Sequence, residues 1–376
     1  MTWIPLADLI AALQLSLEKA EQVAPGGFVV ADLKVEFPAV LGTMGNQVAV
    51  QIPDPSAKTE VPAQYLARIT LTLNPGPTTP GVLPSNESLD SGVGWLPLYS
   101  GTTASLYGLF ASSSGTLYVV GTMGTVLHSG DGLLFGAATP LSQKRLHAVW
   151  GSGSGDVSAV GRSGSILRMG SPGGAWGAVA SGIDRSINAI WGDGGGSVYA
   201  VGDKGILLSS LDNGKAWVSA SIGLGSNKHG IWGDHDHLFI VGTEGHIERV
   251  NRSSLNVTSV WQSSRRLHGI WAAGPDALYA IGEKGLIVRS QNGGDTWAVA
   301  PSGTTQHLYG VGGRGPEDVY VVGRGGTILH STDGGYSWSM EESSTTEALH
   351  AVIGTIAGTL YAVGTRGIIL RKPFAT

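Results

Sequence analysis

The chain of 376 residues contains no cysteine, which excludes disulfides, thiolate catalysis and cysteine-ligated zinc. It has no uninterrupted apolar run of about 18 residues, so we expect no membrane-spanning helix. Only 14% of residues are charged and the formal net charge is -5, which offers no broad basic surface for nucleic acid or an anionic membrane. Residues 1–22 lack the basic start and apolar run of a secretion signal. We therefore expect a cytoplasmic protein with neither nucleic acid nor membrane as a partner.

Glycine, in contrast, is abundant. The 59 glycines indicate many tight turns, and 42% hydrophobic residues are enough for a sizeable core. Low charge combined with many turns favours β structure over long surface helices. The length allows two or three domains.

One repeat fills most of the chain. Seven copies of a G-x-x-G motif follow one another at intervals of 40 or 41 residues. Its first glycines are Gly121, Gly161, Gly202, Gly242, Gly282, Gly323 and Gly364, and its second glycines are Gly124, Gly164, Gly205, Gly245, Gly285, Gly326 and Gly367. A period of this length is typical of solenoids and propellers.

Each complete copy contains four short β-branched or aromatic segments and no helical pattern. In the fifth copy they are LHGIW, ALYAIG, GLIVRS and a segment that begins at Trp297. The G-x-x-G motif fits a tight hairpin whose glycines accept positive φ at no steric cost. Four strands in about 40 residues are the pattern of a β-propeller blade. The sequence thus predicts an all-β seven-bladed β-propeller over residues 92–376.

The seventh copy ends at RKPFAT, before its fourth segment, while an unmatched WLPLYSG precedes the first copy. We expect residues 95–101 to complete the last blade. The two ends of the propeller segment would then share one sheet, and the ring would close without an exposed edge.

The turns between third and fourth segments carry a family resemblance. SLDNGKAW at 210–217, SQNGGDTW at 290–297 and STDGGYSW at 331–338 resemble the Asp-box, or BNR-like, repeats of sialidases. Together with VGxxGxIL, they are similar to the propellers of photosystem II assembly factor-like proteins, which are also seven-bladed. The fourth copy departs from the pattern, because Val257 stands where tryptophan is expected. The resemblance implies the fold, and it implies a structural role for Asp212 and Asp333 in their own turns.

A different pattern precedes the propeller. Residues 4–20 place Leu6, Leu9, Ile10, Leu13 and Leu17 on one face, which predicts an amphipathic helix. Alternating segments at 32–37, 47–52 and 67–73 predict strands, so we expect a small N-terminal α+β domain over 1–73. A Pro, Gly and Ser-rich stretch at 74–91 reads as a linker.

The N-terminal pattern resembles the trypsin-co-occurring domains of bacterial conflict systems. The resemblance implies a bacterial defence or signalling complex in which the protein is a regulator or target of a protease.

The chemistry-bearing motifs of common enzymes are missing. The sequence has no nucleophile motif, no phosphate-binding loop and no sialidase-type Phe-or-Tyr-Arg-Ile-Pro signature. We therefore expect a non-enzymatic scaffold or adaptor with a protein partner and no cofactor. The alternative is a glycan-binding or glycoside-hydrolysing propeller, which needs two opposed carboxylates. The available ones are Asp184, Asp234, Asp236, Asp276 and Glu317.

Two sets of equivalent positions are candidates for binding. One residue per blade near the start of the innermost strand forms a channel-mouth ring: Tyr107, His147, Asn188, His229, His268, Tyr309 and His350. Such side chains bind metals or polar ligands, or they bond the backbone of the next blade and seal the ring. We favour sealing and expect no metal, because sevenfold spacing makes a compact metal site difficult.

The hairpin tips between the paired glycines form the second set, which we expect on the same propeller face. Their charged members are Arg162, Asp203, Lys204, Glu244, Glu283, Lys284, Arg324 and Arg366. The tips vary while their glycines do not, as in a mixed-charge surface for a protein partner on a fixed frame.

Overall fold

The computed structural model describes residues 4–5, 33–44, 47–51, 67–73, 94–152, 155–221 and 225–374. The chain divides into two compact units, Met1–Ser88 and Leu89–Thr376. In the first unit, only the backbone of the strands is described. Within the described residues, no helix is long and apolar enough to cross a membrane.

The described residues of the first unit form a four-stranded antiparallel sheet. Its strands are Ile4–Pro5, Leu33–Met44, Gln47–Gln51 and Ala67–Leu73, and Ile4–Pro5 lies at one edge beside Gln47–Gln51. The predicted helix over 4–20 is thus wrong at its start. Because proline has no N–H to donate, Pro5 suits an edge strand. The rest of that helix and the linker at 74–91 lie outside the described residues, so the α+β assignment stays a prediction.

The second unit is a seven-bladed β-propeller, as the repeat predicts. Each blade is a four-stranded antiparallel sheet. From blade one to blade seven, the innermost strands are Leu106–Ala111, Leu146–Gly151, Ile187–Gly192, Lys228–Gly233, Leu267–Ala272, Leu308–Gly315 and Leu349–Gly354. The second strands are Leu117–Gly121, Val157–Gly161, Val198–Gly202, His237–Gly242, Leu278–Gly282, Asp318–Gly323 and Leu360–Gly364. The third strands are Val126–Ser129, Ile166–Met169, Ile206–Ser210, His246–Asn251, Ile287–Ser290, Ile328–Ser331 and Ile369–Lys372. The outer strands are Gly136–Ala137, Trp176–Val179, Val218–Ser221, Val257–Gln262, Ala298–Ala300, Ser339–Glu341 and, for blade seven, Leu96–Leu98.

Blade seven joins distant parts of the chain. Leu96–Leu98 pairs antiparallel with Ile369–Lys372, and Leu98 lies opposite Ile369. Trp95, only 2% exposed, packs with Tyr320 of blade six in the same hydrophobic cluster. The closing strand is therefore anchored by hydrogen bonds within its own blade and by packing against the neighbouring blade.

The core lies between blades. The second strand Leu117–Gly121 is buried at every position, as expected for a middle strand covered on both sheet faces. One buried cluster joins Tyr118 of blade one to Leu146 and Leu167 of blade two, and similar clusters follow around the ring. Every blade is thus stabilised by both neighbours.

The two glycines of each hairpin have different structural roles, so the prediction of positive φ for both is wrong for the first of them. In blade one, Gly121 is extended at φ -160, and a Cβ there would overlap the carbonyl oxygen of Ser105. Gly124 has φ 68, and a Cβ there would overlap the carbonyl oxygen of Ser142. The first glycine is required by close backbone approach, and the second by both close approach and conformation.

Candidate functional site

One face of the propeller carries both predicted sets. The G-x-x-G hairpins contact the loops that enter the innermost strands: Thr122 N donates to Ser105 O at 2.9 Å, and Gly164 N donates to Arg185 O at 2.7 Å. We call this surface, made of the hairpins and those entry loops, the mouth face. The loops between innermost and second strands and the turns between third and outer strands form the rear face.

The channel-mouth ring is a continuous series of neighbours. The ring centroids of Tyr107 and His147 lie 6.4 Å apart, and those of Tyr107 and His350 lie 4.7 Å apart. His147 Nδ1 lies 3.0 Å from the carbonyl oxygen of Ile187 in blade three. Asn188 Nδ2 donates to the carbonyl oxygen of Lys228 in blade four at 2.9 Å. These two members make the bonds to the next blade's backbone that a sealing role requires.

The other half of the ring is held by side-chain contacts. Ring centroids are 6.0 Å apart for His229 and His268, 5.5 Å for His268 and Tyr309, and 5.3 Å for Tyr309 and His350. All seven side chains are half-buried. The structure therefore brings the whole predicted set together around the channel.

Burial keeps the ring imidazoles neutral at neutral pH. Burial, aided by the nearby His229, lowers the pKa of His268 to about 4. Burial and the Arg145 guanidinium lower the pKa of His350 to about 4. Burial also lowers the pKa of His147 and of His229. The ring thus presents nitrogen lone pairs and aromatic faces rather than positive charge.

The predicted hairpin tips surround the ring. Asp203 accepts a hydrogen bond from Asn188 Nδ2 at 3.0 Å, which connects a hairpin tip directly to the ring. Asp203 and Glu283 are half-buried. The other six charged tips are exposed: Arg162, Lys204, Glu244, Lys284, Arg324 and Arg366. The guanidinium of Arg145, from an entry loop, lies 5.0 Å above the Tyr107 ring.

Charge is divided between the two faces. The mouth face holds ten basic side chains: Lys144, Arg145, Arg162, Arg185, Lys204, Arg265, Arg266, Lys284, Arg324 and Arg366. Its six acidic ones are Asp184, Asp203, Glu244, Glu283, Glu342 and Glu347. The rear-face loops hold two basic side chains, Lys215 and Arg252, and Arg168 and Arg249 of the third strands pair with Asp156 and Asp295 in those loops. The ten acidic side chains of the rear-face loops are Asp131, Asp156, Asp193, Asp212, Asp234, Asp236, Asp276, Asp295, Glu317 and Asp333. An acidic protein therefore presents a net basic mouth.

The rear-face aspartates of the Ser-x-Asp turns are used locally. Asp212 Oδ1 accepts hydrogen bonds from Lys215 N at 2.9 Å and Ala216 N at 3.0 Å. Hydrogen bonds from Ser337, from the backbone and from Ser331 lower the pKa of Asp333 to about 2. These carboxylates hold their own turns. Of the five carboxylates available to a glycosidase, Asp184 is on the mouth face and the other four are on rear-face loops.

Blade four contains a buried ion pair that the sequence did not predict. Lys228 Nζ lies 2.6 Å from Glu248 Oε1, and the two side chains are 1% and 6% exposed. They stand where other blades have apolar residues, for example Leu106 and Leu127 in blade one. An alignment of the repeats shows that Lys228 and Glu248 replace apolar residues. Only the structure shows that the two side chains pair with each other.

Among the residues that the structure describes, two groups of side chains have ligand atoms within 4.8 Å of one another, the separation at which a metal ion could be held. Glu244, His246 and Glu248 form one, but there Lys228 already neutralises Glu248. His268, Glu283 and His307 form the other, on the mouth face between blades five and six. His307 was missed because it precedes the innermost strand and is outside both predicted sets.

No protein-family model matches the sequence, and no functionally curated protein matches it. Solved structures do match. One is described as YCF48 bound to D1 peptide: it is 20% identical, the match covers 77% of this chain and 99% of that one, and the TM-score is 0.64. Virginiamycin B lyase from Staphylococcus aureus is 14% identical, with 74% and 97% covered and a TM-score of 0.62. U3-55K is 9% identical, with 76% and 100% covered and a TM-score of 0.65.

These similarities establish the fold alone. They agree with the propeller implied by the sequence resemblance. The Asp-box family assignment and the N-terminal resemblance stay predictions.

Proposed function

We propose that this propeller is a non-enzymatic protein-binding module whose mouth face binds an extended, acidic segment of a partner. The observation that carries the proposal is the division of charge: ten basic and six acidic side chains on the mouth face, against two basic and ten acidic side chains in the rear-face loops, where Arg168 and Arg249 of the adjoining strands pair with two of the ten. A basic face on an acidic protein steers an acidic partner to one side and disfavours the other.

The placement of the cations suits recognition. Arg162 and Arg324 are exposed on hairpins whose glycines fix the backbone, so little order has to be gained on binding. Inside the circle of tips, half-buried aromatic rings such as Tyr107 and Tyr309 offer apolar contact area. Arginine and tyrosine are among the residues that contribute most to binding free energy at protein interfaces.

The structural neighbours support a protein partner at the level of analogy. One is described with a bound peptide, and such a partner would suit the mouth of this chain. The lyase neighbour shows that the same fold is found in an enzyme, but at 14% identity it transfers no catalytic residues.

For the first unit, we propose that residues 1–73 recruit the bound partner into a larger complex. Support comes from the sequence resemblance to conflict-system domains, which would make this a bacterial defence or signalling assembly with a protease. The full-length chain would be isolated together with its bound proteins, and crosslinking followed by mass spectrometry would test this role. Crosslinks from residues 1–73 to a second protein are expected, and crosslinks confined to the propeller would contradict the recruiting role.

The binding proposal is tested with a phage-displayed random peptide library selected on the immobilised full-length chain. We expect enrichment of peptides rich in Asp and Glu, with affinity that falls as salt rises because screening weakens surface electrostatics. The double variant R162E/R324E should bind the selected peptides at least about tenfold more weakly, as expected when attraction becomes repulsion.

The matched control is K215E/R249E, which makes the same charge change away from the mouth face. It should retain binding to within about twofold. Enrichment of neutral or basic peptides, or equal loss in both double variants, would contradict the proposal.

A further inference from the structure

We propose that His268, Glu283 and His307 form a binding site for a divalent transition metal, with zinc as the best match, at the junction of blades five and six. The three side chains come from three different elements that meet on the mouth face. His268 is on the innermost strand of blade five, Glu283 is on that blade's hairpin, and His307 ends the loop that enters blade six.

The geometry is close to that of a bound site. One ligand atom from each residue lies within 4.8 Å of the others. The imidazole centroids of His268 and His307 are 6.5 Å apart, with an angle of 77° between the ring planes. Ligands of a tetrahedral zinc ion at about 2.0–2.1 Å are roughly 3.4 Å from one another. Side-chain rotations that bring the ligand atoms from 4.8 Å or less to that separation would therefore complete the site.

The backbone that carries the three residues is held firmly. Glu283 N donates to Arg266 O at 3.0 Å, and Gly285 N donates to Gln306 O at 2.7 Å. His307 O accepts a hydrogen bond from Arg324 N at 2.9 Å. The hairpin of blade five is therefore fixed to the entry loop of blade six. A site whose ligands are already positioned loses little entropy when the ion binds.

Few groups compete with an ion for these ligands. His307 Nδ1 is buried and has no hydrogen-bond partner within the described part of the chain, which is costly for a polar atom. No described residue hydrogen bonds with the His268 imidazole either, whereas His147 lies in reach of a carbonyl oxygen. Near Glu283, Arg266 N donates a hydrogen bond of 3.4 Å to Oε2, and the Arg266 Nε atom is 3.7 Å from Oε1, on a side chain that is 58% exposed. That cation can turn into solvent when an ion takes the carboxylate.

The same three positions can be compared around the ring. At each junction, they are the ring residue, the first tip residue and the residue before the next innermost strand. In blade order, the sets are Tyr107, Thr122 and Arg145; His147, Arg162 and Ser186; Asn188, Asp203 and Asn227; His229, Thr243 and Arg266; His268, Glu283 and His307; Tyr309, Arg324 and Ala348; and His350, Thr365 and Ser105. Of these seven sets, all within the described residues, the fifth alone combines three side chains of metal-ligating type.

The ligand set indicates the class of metal. Two imidazoles and one carboxylate suit zinc and related first-row divalent ions, whereas magnesium and calcium prefer oxygen ligands throughout. Three protein ligands leave at least one coordination position for water or for an incoming carboxylate.

The test is isothermal titration of the chelator-treated full-length chain with zinc chloride, followed by cobalt(II) titration under visible absorption. We expect one ion per chain at this site and the absorption of tetrahedral cobalt with nitrogen and oxygen ligands. H307N and E283Q should each weaken binding by at least about tenfold, as loss of a ligand requires. E283Q changes a half-buried hairpin tip with little change of shape, so it keeps the test valid if a histidine variant folds poorly.

Matched controls remove the same residue types elsewhere. H350N takes a ring histidine from the junction of blades seven and one, and E244Q takes a tip carboxylate from the second group of potential ligands; both should bind zinc like the unaltered chain. Circular dichroism and melting curves would confirm that every variant is folded. No stoichiometric zinc binding by the unaltered chain, or undiminished binding by folded E283Q and H307N, would overturn the proposal.

Discussion

Trp95 Nε1 donates a hydrogen bond of 2.9 Å to Glu341 Oε2, and this bond joins the segment that closes blade seven to the outer strand of blade six. Glu341 Oε1 lies 2.7 Å from Lys372 Nζ and 3.1 Å from His330 Nδ1. The His330 ring stacks on Tyr320 with centroids 4.1 Å apart. One carboxylate thus connects three strands from two blades at the place where the ring closes.

Loss of Trp95 should destabilise the propeller strongly. W95A removes a large buried side chain and its hydrogen bond, so we expect a loss of about 3–5 kcal/mol in the free energy of unfolding. W95F keeps most of the packing, and we expect it to lose about 1.5–3 kcal/mol, the value of a hydrogen bond to a charged group. Denaturant unfolding followed by tryptophan fluorescence measures both. Y99A, at a side chain 60% exposed, is the control and should be neutral; a W95A protein as stable as this control would contradict the closing role.

The same network makes stability depend on pH. Burial alone would raise the pKa of Glu341, but hydrogen bonds from His330, Lys372 and Trp95 lower it to about 2. A carboxylate with a lowered pKa stabilises the fold above its unfolded value, near 4.5, and this stabilisation is lost as pH falls towards 2. For His330, burial lowers the pKa but Asp318 and Glu341 outweigh it and raise the value. Its contribution is complete below about 6.5 and is lost as pH rises through the raised pKa.

Melting curves across both pH ranges measure this dependence. E341Q should reduce the loss of stability at acid pH and also at pH above neutrality, since it removes one partner of His330. A pH profile of E341Q parallel to that of the unaltered chain would show that Glu341 does not carry the dependence.

Breaking the Lys228–Glu248 pair should lower the free energy of unfolding strongly, whereas replacing both residues by apolar ones should not. K228L leaves Glu248 as an uncompensated buried charge, and we expect a loss of about 3–5 kcal/mol. The double variant K228L/E248L restores the apolar residues of the other blades and should be neutral or more stable by about 1–4 kcal/mol. A double-mutant cycle, measured by urea unfolding, separates the interaction free energy of the two residues from the effect of each single substitution. Additive losses would mean that the two charges do not stabilise each other.

Adjacent glycines in blade six should respond differently to alanine. Gly325 has φ 67 and open space around it, and lysine or arginine occupies the same position in other blades. We expect G325A to cost about 1 kcal/mol or less. A Cβ on Gly326 would overlap the carbonyl oxygen of Thr345, so G326A should cost about 1–3 kcal/mol more. Equal melting temperatures for the two variants would contradict the close-approach argument.

Because the sequence is repetitive, most of the fold could be predicted from it. Fixed glycine spacing and four short apolar segments per copy were enough to predict seven blades. Each blade repeats the same hydrogen bonding between neighbouring strands and the same pattern of buried residues. The helix predicted at 4–20 fails at its first residues, since Ile4–Pro5 pairs with a strand that is distant along the chain. Sequence periodicity cannot detect such a partner.

The site was predictable only in part. The ring and tips follow from their position in the repeat, and the structure places them on one face around the channel. His307 and Glu341 could not be identified in the same way, because each acts across a junction between blades. The spacing within one copy says nothing about which residues of two copies meet.

The closing strand is synthesised long before the strand with which it pairs. Leu98 pairs with Ile369, 271 positions later, so the strand Leu96–Leu98 leaves the ribosome long before its partner has been synthesised. Until then, the blades that already exist form an open arc whose terminal sheets have unpaired edges. A nascent chain stalled before Ile369 would expose one of those edges to other chains, and the pairing of Ile369–Lys372 with Leu96–Leu98 ends this exposure.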